Sequence, residues 1–345
     1  MDWLTEAMNP NKSDIMHYHM YFNSTQSKSD GTWTIYCVLS YFEFTVICMT
    51  FLLLSFLFYL MVITHPFHVN LKNIFCFIGC EVYVQLTVRS IMIFLIFYEL
   101  EESYAFLVCS EIRCCCYIVV CLFLPAIIVE RCCSLYFLKD YEQRLRLYIS
   151  ITLMIILILL GVHFSLYYHT AKSTLSLHIS LLAMNVIASV GNVLIEKYNY
   201  WKLHESTNLR KGRKEYSLAE RFQIAENIRV CNSLKSVINT VSFFNFFSTA
   251  SAASDNFDLS PFALNIAATI HNYCVLIHGP VALITLFCTI EVWKSEVKRL
   301  FTRLRLISVR PVADREKMNP PEKHMSSVRR DTDIYFSQLE KQWQK

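Results

Sequence analysis

The chain has 345 residues, 54 % of them hydrophobic and only 17 % charged, with a mean hydropathy of +0.35 and a formal net charge of +4. That balance excludes an ordinary water-soluble globular protein. With six glycines and no H-E-x-x-H, phosphate loop or G-x-S-x-G, the chain offers no recognisable catalytic motif, so no enzyme and no cofactor is expected. The apolar residues are blocked. Seven blocks are long enough, at about 20 residues each, to cross a bilayer: Ile35–Ile63, Asn73–Phe97, Phe106–Val129, Leu147–His169, Leu175–Ile195, Val230–Ala253 and Leu264–Ile290. They lack sustained two-residue alternation, which leaves helices as the spanning form. The fold class expected is an all-α membrane protein, a seven-transmembrane helix bundle. It divides into an extracellular tail (1–34), the bundle (35–290) and a cytosolic amphipathic helix with a disordered tail (291–345).

The first 34 residues are polar and contain no apolar signal-peptide core, so the first span is expected to insert the chain. This tail holds two glycosylation triplets, at Asn11 and Asn23. Lys and Arg placement sets the orientation. Loops after the first, third and fifth spans carry one, four and eight basic residues, against three (Lys12, Lys28 and Lys172) on the other side. The amino terminus is therefore expected outside. The positive charge belongs beside anionic lipid and is not a nucleic-acid footprint.

Ionisable residues inside a bilayer find partners or line cavities. Glu43 in the first span and Arg89 in the second each lie roughly 12 Å below the outer end of their spans, and Arg113 roughly 10 Å below that of the third. Glu81 is a further acid in the second span. Three charges at one depth suggest either a ligand pocket or a Glu43–Arg89 pair that fixes packing, with Arg113 the better pocket candidate. The third span ends at Glu130-Arg131. This is either a two-state lock, in which the arginine leaves its neighbour for an incoming partner, or a plain boundary arginine. Cys132-Cys133 follow and are candidates for acylation. The fourteen cysteines read as small buried apolar packing and not as a disulfide or metal framework. His163, His169 and His178 either face a polar pocket or are satisfied by carbonyls.

The stretch Tyr216 to Lys235 is a charged helix entrance running into the sixth span. Ser217 and Glu220 have capping-box spacing, and Arg221, Glu226 and Arg229 follow. Lys235 is expected to snorkel. In the seventh span His271 and His278 share a face, His271 is a pocket candidate, and Gly279-Pro280 should kink the helix. Beyond it Trp293, Val297, Leu300, Phe301 and Leu304 oppose Lys298, Arg299 and Arg303, the pattern of a basic helix lying along the inner leaflet.

At Tyr216, Ser217, Leu218, Glu220, Arg221, Gln223, Glu226, Asn227 and Arg229 the chain resembles the nematode serpentine receptor class epsilon family of chemoreceptors; the sibling class alpha-beta is similar there. Glu130-Arg131 with Asp140-Tyr141-Glu142 resembles the same family's second cytosolic loop, from which Cys132-Cys133 is a departure. No cysteine lies in the loop Thr170–Thr174, which departs from rhodopsin-like receptors. The resemblance implies a G-protein-coupled chemosensory receptor in the plasma membrane of sensory neurons and their cilia. Its partners would be a small-molecule ligand, a heterotrimeric G protein and the lipid membrane, with a homo- or hetero-oligomer also compatible. Glu130, Arg131, Tyr216, Ser217, Glu220, Arg221, Glu226 and Asn227 would form the coupling switch. A ligand-gated channel or transporter of the sensory membrane is the alternative, though no internal repeat supports it.

Overall fold

A computed structural model describes residues 23–64, 67–138, 146–171, 173–208 and 218–303, and among them every regular element is helical. The chain forms two compact units, 1–297 and 298–345. The helices of the bundle belong to the first. A short helix, α1 (Ser24–Ser29), precedes α2 (Trp33–Ile63), α3 (Val69–Phe97), α4 (Tyr104–Cys121), α5 (Phe123–Tyr136), α6 (Leu147–Thr170), α7 (Leu175–Asn208), α8 (Leu218–Ala252), α9 (Pro261–Thr289) and α10 (Glu291–Arg303).

Local chemistry starts these helices where they start. Asn23 caps α1 by accepting from the Gln26 amide, Ser103 caps α4 through the Phe106 amide, and Ser260 caps α9 through the Ala263 amide with Pro261 in the first turn. Gly31, at φ 70°, makes the reversal between α1 and α2. At the end of α3, Glu99 and Leu100 donate back to Ile96 and Leu95, closing a Schellman motif. Its left-handed position is held by Glu99 at φ 57°, where glycine is usual.

Six of the seven expected spans are long and apolar enough to cross a membrane: α2, α3, α4, α6, α7 and α9. The α4 window is 61 % buried and the other five 22–39 %, so the third span runs through the middle of the bundle. The sixth expected span, in α8, falls short of that hydropathy because it carries many Asn, Ser and Thr residues, several of which point inward. Ser189 and Ser242 oxygens lie 2.8 Å apart, Asn245 donates to Asn185 at 2.9 Å, and Thr249 meets the Tyr117 hydroxyl at 2.7 Å. Phe243, Phe246 and Phe247, on the opposite face, are exposed.

Two boundaries differ from those expected of the sequence. The third span is not one helix ending at Val129 but is broken at Leu122, continuing as α5 to Tyr136. Pro125 has no amide hydrogen and leaves the Cys121 carbonyl without its helical donor; the buried Asn185 side chain of α7 donates to that carbonyl instead, at 3.2 Å. The fifth span runs on through part of the expected cytosolic loop, to Asn208. The seventh carries Pro280 inside α9, where the sequence places it. Close approach of α4 and α6 depends on Gly161, where a Cβ would sit 2.6 Å from Val119 and 3.1 Å from the Cys115 sulfur.

Trp293 also differs from expectation. It is fully buried, donating to Thr64 Oγ1 at 2.8 Å and packing edge-on against Phe67 and Phe287, so this side of α10 faces protein and not lipid. Lys235 is half exposed and pairs with Glu196 at 3.3 Å, as a snorkelling lysine does. All fourteen cysteines are free thiols.

Candidate functional site: a polar-ended cavity and an arginine network

Two polar assemblies lie at opposite ends of the bundle. The first is at the α1 end. Arg89 of α3 donates to both oxygens of Glu43 in α2, from Nε at 2.5 Å and Nη2 at 2.8 Å, and both side chains are about 5 % exposed. Equal depth in adjacent spans makes this pair legible in the sequence. A fork-to-carboxylate geometry uses both acceptor atoms and two of the three guanidinium nitrogens. The third, Arg89 Nη1, is buried with no hydrogen-bond partner among the described residues. Arg113 of α4, 2 % exposed, donates from Nη2 to Asn272 Oδ1 of α9, a partner that sequence reasoning missed.

Glu43, Arg89, Arg113 and Asn272 line one end of a cavity of about 100 Å³. The cavity continues between the helices past Gln85 and Asn245 to an apolar end at Leu57, Phe75 and Leu286. From Glu43 to Leu57 is fourteen residues of one helix, about 21 Å along the bundle axis. The void therefore runs along the bundle axis, charged at one end, with Thr50, Gln85, Asn245, Ser248 and His278 among the apolar side chains along its length. His271, expected in this pocket, is not in its lining. Its Nδ1 lies 2.9 Å from the Ser248 carbonyl and its ring packs edge-on to Tyr117, which makes it a buried packing histidine. His278, on the same face of α9, lines the cavity. Of the other histidines, His169 bridges the Ser165 carbonyl and Ser110, whereas His163 is exposed.

The second assembly is at the far end. Arg131 donates to both oxygens of its chain neighbour Glu130, at 2.6 and 2.7 Å, and both residues are buried. Adjacent helical residues do not ordinarily face each other, and here burial holds them together. Arg131 Nη1 also reaches Asn227 Oδ1 of α8 at 3.3 Å. Ser134 donates to the same oxygen at 2.9 Å, and Gln223 at 3.5 Å. A guanidinium only donates, so Asn227 must present its oxygen to α5. Asn227 Nδ2 and Gln223 Oε1 are buried without a hydrogen-bond partner among the described residues.

The two sequence motifs thus meet, through Asn227 and Gln223 against Glu130 and Arg131. Glu226 instead pairs with the exposed Arg229 on its own helix at 2.6 Å. Glu220 sits in the first turn of α8. Tyr216, Ser217, the Arg221 side chain, Asn11 and Asp140-Tyr141-Glu142 lie outside the described residues. Cys132 is exposed and Cys133 half-buried. Asn23 is exposed at the start of α1, its backbone amide donating to Asn265 Oδ1 at 2.8 Å.

A helical bundle with six membrane-length apolar helices, a cavity between them and an arginine network at one end has the architecture of a multi-pass membrane protein. The family model described as Sre G protein-coupled chemoreceptor matches residues 8–344, and the chain belongs to that family. Among curated proteins of Caenorhabditis elegans it is similar to serpentine receptor class epsilon-8, at 25 % identity over 96 % of this chain and 98 % of the relative. Class epsilon-12 is 30 % identical over 64 % of this chain and 66 % of the relative. Class epsilon-13 is 22 % identical over 94 % and 96 %. No solved structure matches. The family is one of receptors and not of enzymes, and membership implies a G protein and a small-molecule ligand as partners in a membrane.

Proposed function

We propose that the chain crosses the plasma membrane of a sensory cell, in its cilium, seven times, with its amino terminus outside. A small ligand in the cavity biases a helix rearrangement that opens the Arg131 end to a G protein. The crossing by α8 is supported by its exposed Phe243, Phe246 and Phe247, a face suited to lipid, and by the burial of Asn245, Ser248 and Thr249. Residues 1–34 form the outer tail, glycosylated at Asn11 and Asn23; the segment from 291 is cytosolic, and Cys132 and Cys133 carry the acyl groups.

The observation that carries the reading is the Glu130–Arg131–Asn227 network. Its ion pair is local to α5, and α5 meets α8 through hydrogen bonds to one amide oxygen beside an apolar cluster of Leu135, Leu138, Ile224 and Ile228. Such bonds contribute about 1–3 kcal/mol each, small enough for a ligand with modest preference between two states to overcome. Opening would free Arg131, with Asn227, Gln223 and the Glu220–Glu226 turn of α8, for the G protein. The test is a G-protein activation assay in cells expressing the chain, screened with volatile and soluble odorants, beside a recording of membrane current. Ligand-evoked G-protein turnover that is abolished by Arg131→Gln at unchanged surface expression supports the receptor. Ligand-evoked current without G protein supports a channel instead.

A further inference from the structure

We propose that the α4–α5 break is the hinge about which the Arg131 end opens, and that Asn185 and Asn245 are the positioning residues that tie this hinge to the cavity. This rests on the cavity being the ligand site and adds the route by which its occupant acts.

An amide hydrogen at position 125 would ordinarily close the helix onto the Cys121 carbonyl, and proline has none. Cys121 and Leu122 are buried, and a buried carbonyl needs a donor. Asn185 Nδ2 supplies one hydrogen at 3.2 Å and gives its other to Leu181 of its own helix at 2.8 Å. Both acceptors are carbonyls, so the amide must present Nδ2 to them and keep Oδ1 for Asn245 of α8, whose Nδ2 donates at 2.9 Å. A helical hydrogen bond is internal to its helix. Here the carbonyl at the break is bonded to a side chain of another helix, so α5 can turn at Leu122 without either segment unwinding.

The cavity reaches both partners of this clamp. Val120 and Phe123, on either side of the break, are in its lining, and so is Asn245. A molecule in the cavity therefore touches the hinge from one side and the residue that braces its clamp from the other. Arg131 lies nine residues past Leu122, so a turn of about 10° at the break carries it roughly 2 Å. That is enough to part Arg131 Nη1 from Asn227 Oδ1, which are 3.3 Å apart. One side chain, Asn185, thus stands in series between the cavity wall on α8 and the segment that holds the arginine.

The experiment uses the full-length receptor, purified in phosphatidylcholine nanodiscs with spin labels at the exposed positions Val129 of α5 and Arg229 of α8. Basal G-protein turnover of the same variants is read in cells. Asn185→Ala should add a longer 129–229 population and raise basal turnover about five- to ten-fold. Pro125→Ala puts back an amide hydrogen for the Cys121 carbonyl, so Pro125→Ala/Asn185→Ala should return both readouts to the wild-type values or below them. Asn245→Ala should raise turnover by itself and add no more than about two-fold to Asn185→Ala, because the two bonds act in series. An Asn185→Ala distance distribution that matches wild type, or a double variant no different from Asn185→Ala, overturns the proposal. Where Asn185→Ala alone does not fold, the double variant decides. Folded protein with the wild-type 129–229 distribution supports the hinge, and a double variant that still does not fold overturns it. A lengthened distance that Pro125→Ala reverses, in a protein that no odorant couples to a G protein, would sink the receptor reading and keep the hinge. Odorant-driven turnover in a chain whose Asn185→Ala variant behaves as wild type would do the reverse.

Discussion

The two ends of the bundle each bury a bidentate arginine–carboxylate pair, yet they connect the helices differently. Glu43 and Arg89 are 46 residues apart and lie on different helices, so their charge pair spans α2 and α3. Glu130 and Arg131 are neighbours on α5, so theirs spans nothing, and α8 is linked to them through Asn227. Parting α2 from α3 would leave buried charges uncompensated, at about 3–5 kcal/mol. Parting α5 from α8 leaves the ion pair whole and gives up hydrogen bonds to an amide and part of the Leu135–Ile224–Ile228 apolar cluster. The proposed function has one end stay closed and the other open.

The largest expected effects break the first end. Arg89→Ala leaves the Glu43 carboxylate alone in an apolar interior, a loss of about 3–5 kcal/mol that should remove folded receptor from the cell surface. Glu43→Gln/Arg89→Gln should recover most of it, as read by surface labelling and by thermal unfolding of purified protein. A double variant as unstable as the single would show that the charges do not act as a pair. Next in size is Gly161→Leu, which forces a side chain into Val119 and Cys115 across the α4–α6 crossing. It should lower the unfolding temperature by an amount equivalent to about 1–3 kcal/mol, with Gly161→Ala intermediate.

At the other end, Asn227→Ala removes the shared acceptor and should raise basal G-protein turnover by roughly five- to ten-fold, corresponding to about 1–1.4 kcal/mol, with little change in surface expression. Unchanged basal activity with lowered expression would make Asn227 a packing residue only. The smallest effect concerns the exposed loop after α3. Lys28 donates to Glu99 and holds its carboxyl below the usual range. A depressed folded-state pKa means this pair stabilises above the unfolded carboxylate value of about 4.3 and is lost as pH falls through the lower folded value. Lys28→Gln should therefore change stability slightly at neutral pH and not at all once the pH has fallen below the depressed folded value. Glu99→Gly loses the same pair but relieves the positive φ, so it should destabilise less than Lys28→Gln.

Depth along a helix is readable from residue count alone, which is why Glu43 and Arg89 can be matched from their positions in the sequence. Rotation about the helix axis is not. His271 shares the correct depth yet turns toward Tyr117 and Ser248 and away from the cavity, and Asn272, one residue on, meets Arg113. The α8 helix shows the same limit. A hydropathy average treats its polar residues as evidence against a span, whereas Ser242, Asn245 and Thr249 share a single interior face. Pro125 marks a break that composition could have flagged. Its repair by Asn185 joins positions 121 and 185, and Asn245 joins on in turn, through contacts that no local pattern encodes. The meeting of the Tyr216–Arg229 motif with Glu130-Arg131 is legible in the sequence only as a resemblance; hydrogen bonds to Asn227 are its physical content.

The claim that one end opens while the other stays shut is tested most directly by distances. Spin labels placed through non-natural amino acids at the exposed positions Val129 and Arg229 report on α5 and α8, and labels at Val38 and Ile91 report on α2 and α3. With an agonist and G protein present, the 129–229 distance should lengthen while the 38–91 distance keeps its resting distribution. A fixed 129–229 distance in a signalling receptor, or a 38–91 distance that lengthens as much, would contradict the account.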